Sequence, residues 1–498
     1  MNAINLYTYS CVEKEDCSEY ATVLSNSDKK YKVKDYEFLS LKKFVERFTD
    51  CKKPLEILDG FFFGYTIKHI SKEFDLLKLS YNKYVLNIEL KSQMIKEEKI
   101  QKQLIQNAYY LEHIAERQYL FTYVADTDAL YKLVDNEIVK CDFKELIDVM
   151  EELVEYEYND IGPYFDAKKF LVSPLNMPDK FIEGKYFLTN QQKEIRNKIL
   201  KSIEIGTDIF YGIQGAAGTG KTLLLYDLAV ECSKYGKVCI IHCGILCDGH
   251  RVLNAKLKNI DIVAIKYFNI EKDYQYIFVD ESQRIWAGNY AAVVKYSREK
   301  AVPCVFSHDY FQVLSKYERS QEVPKKLQQL EGYNENLYTL SKKIRTNEEI
   351  NSFIECLLRL SSKPKVRRFP NVDVLYVGNV GDLYETMEYY VDVKKYHWIG
   401  YTPSTYVKSS LNKYTGELNS HQAIGQEFNN VIVMMDINFK YDEEGNLLGR
   451  IHPNPDYLLH KLFYQAVSRA REKLCIVVLE NKELFRSISS IKNRYLSD

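Results

Sequence analysis

The stretch DIFYGIQGAAGTGKTLLLYDLAV constrains this chain more than any other. An apolar, strand-like run ends in Gly215, and a helix-forming run opens at Lys221. Between them, Gly215, Gly220, Lys221 and Thr222 fit the spacing G-x-x-x-x-G-K-S/T, with Gly218 inside the loop. Glycines let successive backbone N–H groups turn toward a phosphate. Lys221 is placed to reach β and γ phosphates, and the Thr222 hydroxyl to ligate Mg²⁺. The start of the helix adds its partial positive charge. A chance glycine-rich turn can carry the same letters, but the strand before and the helix after supply the context that phosphate binding needs.

From about residue 181 onward, short apolar runs alternate with helical stretches. KVCIIHC, YQYIFVDE, PCVFSH, HWIGYT, NNVIVMMD and EKLCIVVL read as buried parallel strands separated by helices, so this zone is α/β. With 498 residues, two to four domains are expected. The boundaries fall at 1–130 (mixed strands and helices), 131–180 (a helix followed by a connector), 181–330 and 331–498. YQYIFVDESQR is a strand ending in Asp280 and Glu281, about 60 residues after the loop. A carboxylate there gives Mg²⁺ its second protein anchor. Glu281, one residue on, can polarise an attacking water.

These residues resemble the superfamily 1 helicases near the UvrD-like and Schlafen-like branches, over about residues 186–480. The resemblance implies two RecA-like P-loop domains, ATP, Mg²⁺ and a nucleic-acid partner. LTNQQ is similar to the Q motif, which puts Gln192 on the adenine. Gln283 of DESQ would sense the γ phosphate. SHDYFQ resembles the family's GDxxQ, making Asp309 and Gln312 the link between ATP and the strand. LSKKIRTNEEI implies Arg345, and FYQAVSRAREKL implies Arg469, as arginines reaching the γ phosphate from the second lobe. SHQAIGQEFNNVIV resembles motif V, with Gly425 and Glu427 beside the nucleotide. His308 stands where the family usually has glycine, and Ile344 where an aromatic residue usually precedes the arginine. Neither the Gly244–Tyr276 gap nor the Arg345–Ser420 gap holds a large inserted subdomain, so translocation, remodelling or ATP-gated control fits this core as well as processive unwinding.

Upstream, FDLLKLSYNKYVLNIELKS contains Asp75, Glu89 and Lys91. Strand alternation puts Glu89 and Lys91 on one face. A neighbouring carboxylate beside such a pair can hold one or two Mg²⁺ ions, or Mn²⁺, which activate water at a phosphodiester. A helix follows from about Lys96 to Arg117, with Gln103, Gln106 and Tyr110 on one polar face. This resembles the RecB-like PD-(D/E)xK nucleases. The resemblance implies a mixed α/β, restriction-endonuclease-like domain and an earlier helix donating a third carboxylate, for which Glu46 in LKKFVERF is the choice. The plainer reading is a strand with a solvated Glu/Lys face.

The net charge of −1 gives no support for a polynucleotide partner and excludes none, since a groove can be locally basic. No run of about 18 apolar residues predicts a membrane span, and MNAINLYTYSCVEKED does not read as a signal peptide. Eleven scattered cysteines read as reduced thiols, so the cytoplasm is expected. Cys239, Cys243 and Cys247 with His242 and His250 invite a zinc reading. Because Cys239–Cys243 runs along a strand whose residues alternate faces, buried structural cysteine is preferred. The expected function is an ATP-dependent motor coupled to a metal-dependent nuclease, in bacterial DNA processing or defence, with single-stranded DNA ahead of RNA as partner. Open alternatives are a non-catalytic N-terminal binding module and an ATP switch without motor activity. A homo-oligomer or a protein partner also stays open.

Overall fold

The computed structural model describes residues 3–24, 33–51, 53–67, 72–112, 114–153, 161–165, 172–309, 322–341, 347–363, 366, 368–403, 414, 416–449 and 457–493. They form two compact units: residues 1–171 with 184–190, and residues 172–183 with 191–498. Among the described residues, no helix is long and apolar enough to cross a membrane.

The N-terminal unit is built on a six-stranded sheet in sequence order: β1 (Phe61–Thr66), β2 (Glu73–Leu79), β3 (Tyr84–Lys91), β4 (Arg117–Val124), β5 (Ala129–Val134) and β6 (Glu137–Cys141). Only β3 and β4 pair in parallel; the other neighbours are antiparallel. A parallel pair needs a crossover, and the helix Glu97–Leu111 supplies it. The helix Asp35–Asp50 buries Phe38, Leu41, Phe44, Val45 and Phe48, a stripe at helical spacing. That stripe joins Leu76, Leu86, Ile88 and Tyr123 from the sheet in one core.

The expected boundary at residue 130 is corrected, because the sheet continues through β6. Asp135 and Asn136 both have positive φ, 51° and 66°, the backbone of a tight two-residue hairpin turn. The helix expected next is present at Phe143–Glu152. Its capping box uses Asp142 and Glu145.

The second unit holds two all-parallel sheets. One runs β12-β7-β11-β10-β8-β9, from β7 (Phe210–Gly215), β8 (Val238–His242), β9 (Ile260–Ala264), β10 (Tyr276–Asp280), β11 (Cys304–His308) and β12 (Leu337–Leu340). The other runs β13-β19-β16-β14-β15, from β13 (Val372–Val377), β14 (His397–Gly400), β15 (Leu418–Asn419), β16 (Phe428–Met435) and β19 (Ala470–Leu479). A small hairpin, β17 (Phe439–Tyr441) and β18 (Leu447–Gly449), lies outside both. Every residue of β8 and β11 is buried, as expected for strands in the middle of a parallel sheet covered on both faces. The boundary at 330 also moves: β12 pairs with β7, so the first lobe runs to Leu340.

Candidate functional sites

The glycine-rich loop leaves β7 and turns into the helix Lys221–Cys232 through Gly220, whose φ of 84° is left-handed. Gly218 has φ 75°, and a Cβ on Gly215 would lie 2.6 Å from the Thr219 hydroxyl. The loop geometry therefore needs its glycines. Lys221 is buried; its ammonium donates to the Ala216 carbonyl at 3.1 Å and lies 3.9 Å from Asp309 Oδ2. Gln192 donates to the Thr219 and Gly220 carbonyls at 3.1 and 3.2 Å, so it sits on the loop itself.

Adjacent strands converge on the loop. Thr222 Oγ1 donates to Asp280 Oδ2 at 3.2 Å, bringing the two expected Mg²⁺ anchors together. Few protein ligands on one side suit an ion that keeps several waters and takes phosphate oxygens. Asp280 is fully buried, which works to raise its pKa. His242, the Ser307 hydroxyl and Lys221 outweigh burial and hold the carboxyl below its ordinary value. Glu281 sits at φ 56°, a strained conformation for a non-glycine residue. Its carboxylate accepts from Gln283 Nε2 at 2.6 Å and lies 3.7 Å from Arg284 Nε. Gln283 Oε1 in turn accepts the Asp309 N–H at 3.1 Å, so the β10 and β11 ends are hydrogen-bonded across the site.

The second lobe supplies Arg469, buried, with its Nη1 donating to the Gln426 carbonyl at 3.2 Å. Burial lowers its pKa, while the charges of Glu281 and Glu427 act to raise it. Gly425 has φ 75°. Facing Ala216 and Ala217 is a cavity of about 540 Å³, lined from the second lobe by Glu355, His460, Lys461, Tyr464 and Ser468 among others. Gln312 and Arg345 lie outside the described residues. The His308 ring nitrogen and the Tyr333 hydroxyl are hydrogen-bonded at 2.9 Å, which gives this buried histidine a partner. A Cβ on Gly212 would fall 2.5 Å from that same hydroxyl.

Cys239 and Cys243 are buried among apolar neighbours. Cys247 caps the helix Asp248–Lys256, its N–H donating to His250 Nδ1 at 3.1 Å. His242 and His250 stack with ring centroids 4.4 Å apart. Among the described residues, no group of three or more His, Cys, Asp and Glu side chains is arranged to hold a metal ion.

In the N-terminal unit, Glu89 is buried to 1% exposure. Asn107 donates to its Oε1 at 2.8 Å, Gln103 donates to its Oε2, and Asn87 Nδ2 lies 3.3 Å from Oε1. Lys91 and Lys72 stand on opposite oxygens, each 3.9 Å away. The Asp75 carboxylate accepts the Leu90 N–H at 2.8 Å. Burial and the Glu89 charge push its pKa up, against Lys91 and Lys72. Burial pushes Lys72 down, and its ammonium lies over the Phe74 ring. The buried Glu89, whose charge raises the proton affinity of the half-buried Asp75 beside it, makes with that aspartate a fit for a cation, and two carboxylates suffice where water completes the shell.

Two expectations here are corrected. Glu46 is exposed on the outer face of the helix Asp35–Asp50 and does not join Asp75 and Glu89. Nine residues are two and a half helical turns, so Glu37 faces the opposite way, and it lines the small cavity beside Asp75. Tyr110 is not on a polar face: it packs edge-on to Phe74 and stacks on Phe187 at 5.2 Å. Gln106 is half-buried. The sequence reading missed Lys72 and Asn107, whose relation to Glu89 exists only across a strand pair and the crossover, and Asn87, which strand alternation places two residues before Glu89 on the same face.

Residues 209–395 match the family model described as Schlafen group 3, DNA/RNA helicase domain. Among solved structures, the chain is similar to the Pif1 helicase of Candida albicans, at 11% identity over 62% of this chain and 99% of that one, with a TM-score of 0.33. It is similar to Bacteroides Pif1 bound to single-stranded DNA, at 14% identity over 62% and 97%, with a TM-score of 0.31. A search of curated proteins returned no match. The matched segment holds Lys221, Thr222, Asp280, Glu281 and Asp309, so over residues 209–395 the chain is similar to a helicase domain.

Proposed function

We propose that this chain is an ATP-driven nucleic-acid motor of the superfamily 1 type whose N-terminal unit carries a metal-dependent phosphodiesterase site. The observation behind the motor reading is the meeting of Thr222 and Asp280 beneath Lys221, with Arg469 of the second lobe in the electrostatic field of Glu281. Lys221 and the loop N–H groups hold the β and γ phosphates. Glu281 orients and polarises the attacking water. Arg469, with Arg345 in the same role, offsets charge on the transferred group. Mg²⁺, when bound, neutralises phosphate charge between Thr222 and Asp280. Because Arg469 belongs to the far lobe, closure depends on the γ phosphate, and its loss lets the lobes part. Gln192 reads the adenine, Gly425 and Glu427 lie beside the nucleotide, and Asp309 and Gln312 link it to the strand.

For the N-terminal unit the supporting observation is Glu89, desolvated between two lysines and beside Asp75. Asp75 and Glu89 would hold Mg²⁺ or Mn²⁺, which supplies an activated water and charge neutralisation at a scissile phosphate. Lys91 positions that water, while Gln103 and Asn107 keep Glu89 aimed. Single-stranded DNA is the favoured substrate, and DNA processing or defence in the cytoplasm the favoured setting. The test is cleavage of single- and double-stranded DNA and RNA in Mg²⁺ or Mn²⁺, with and without ATP. Glu89→Ala should abolish cleavage and leave ATP turnover intact. If no polynucleotide is cut in either metal, the N-terminal unit is a binding module.

A further inference from the structure

The segment Val172–Glu183 belongs to the second unit, although the residues on either side of it belong to the first. It lies against both lobes of the motor. On the first lobe its hold is broad. Phe181, buried, meets the ring of Tyr226 on the glycine-loop helix edge-on at 6.2 Å. Asp179 pairs with Lys256 at 2.7 Å. The Leu175 carbonyl lies so close to Gly249 that a Cβ there would sit 1.9 Å from its oxygen.

On the second lobe a polar hold comes from the Asn176 side chain. Asn176 Nδ2 donates to the Glu427 carbonyl at 2.6 Å, and Asn176 Oδ1 accepts the Glu427 N–H at 3.1 Å. This two-way pairing imitates a strand partner and fixes backbone rather than side chain. Beside it, Leu175 reaches to 2.9 Å of where a Cβ on Gly425 would stand, so the left-handed Gly425 is also the residue that admits the segment.

We propose that Asn176 is a positioning residue: it latches the Gly425–Glu427 loop of the second lobe to a strap seated on the first. The asymmetry of the two holds makes the latch separable. Removing one amide frees the second-lobe loop, while Phe181 and Leu175 keep the strap on the first lobe. The strap thereby ties the Gly425–Glu427 loop to the first lobe. Only its consequence for turnover rests on the motor reading.

The experiment compares wild type, Asn176→Ala, Asn176→Asp and Gly249→Ala in the full chain. Two quantities are read: amide hydrogen exchange across residues 425–428, and ATP turnover against the concentration of a poly(dT) oligonucleotide. Asn176→Ala should speed exchange there and raise the half-stimulating concentration roughly five- to thirtyfold, the worth of one to two hydrogen bonds. Asn176→Asp keeps the acceptor and loses the donor, so it should fall between. Gly249→Ala should match Asn176→Ala by lifting the strap from the other side. Unchanged exchange at 425–428 in both alanine variants overturns the latch. A wild type without stimulated turnover overturns the motor reading instead, and the exchange comparison still decides the latch.

Discussion

Two aspartates, one in each unit, sit in opposite electrostatic settings, Asp280 fully buried and Asp75 half-buried. Asp280 is taken from water yet held below its ordinary pKa, because His242, Ser307 and Lys221 face it. Asp75 is raised, because burial and Glu89 outweigh Lys91 and Lys72. The Asp280 carboxyl is thus held toward its charged form, while Asp75 gains affinity for a proton, a balance that a bound cation would reverse. Burial alone sets neither state; the neighbours decide.

The largest effects should separate the two sites. Lys221→Ala or Arg469→Ala should lower ATP turnover by about 10³-fold or more, measured by phosphate release, with metal-dependent cleavage of an oligonucleotide persisting. Glu89→Ala should do the reverse, cutting cleavage by about 10²-fold or more while phosphate release is kept. Should either substitution abolish both activities, the division into two sites fails.

A smaller effect sharpens the account of Asp280. Ser307→Ala removes a hydroxyl donor from its carboxylate, and turnover should drop about tenfold with a raised Mg²⁺ requirement. Unchanged Mg²⁺ dependence would mean that His242 and Lys221 suffice.

The smallest effect is in stability. In the motor unit, burial lowers His308 and His421 to about 3, and burial with His242 lowers His250 to about 2. Between those values and 6.5 the unfolded chain binds more protons, so this unit loses stability as pH falls below about 6.5. In the N-terminal unit Asp75 and Glu73 are raised, so above the ordinary carboxylate range the folded state binds more protons, and stability rises as pH falls. Calorimetry at pH 8 and pH 5 should move the two unfolding transitions in opposite directions, by about 2–4 °C per kcal/mol. Parallel shifts would refute the contrast.

The nucleotide-loop geometry was legible because its residues are contiguous. A phosphate cradle needs glycines, a lysine and a helix start within a few residues, and a strand-end Asp-Glu pair is read the same way. Ser307 and His242 were not legible, since each reaches Asp280 only through a neighbouring strand. The N-terminal pair Glu89 and Lys91 followed from strand alternation, whereas Asn107 depends on how the crossover helix docks. Helical period alone misplaced Tyr110, because Phe187, which covers it, comes 77 residues later in the chain. Glu46 failed by half a turn: the apolar stripe of its own helix already turned it to solvent. The β5–β6 hairpin was carried by Asp135 and Asn136, a turn signal hidden in an otherwise helix-like acidic stretch.

The most direct test measures ATP hydrolysis and strand cleavage in one preparation, with single-stranded DNA in Mg²⁺, for wild type, Lys221→Ala and Glu89→Ala. The account predicts DNA-stimulated hydrolysis and cleavage in the wild type, cleavage without hydrolysis in Lys221→Ala, and hydrolysis without cleavage in Glu89→Ala. Hydrolysis indifferent to any polynucleotide in the wild type would contradict it.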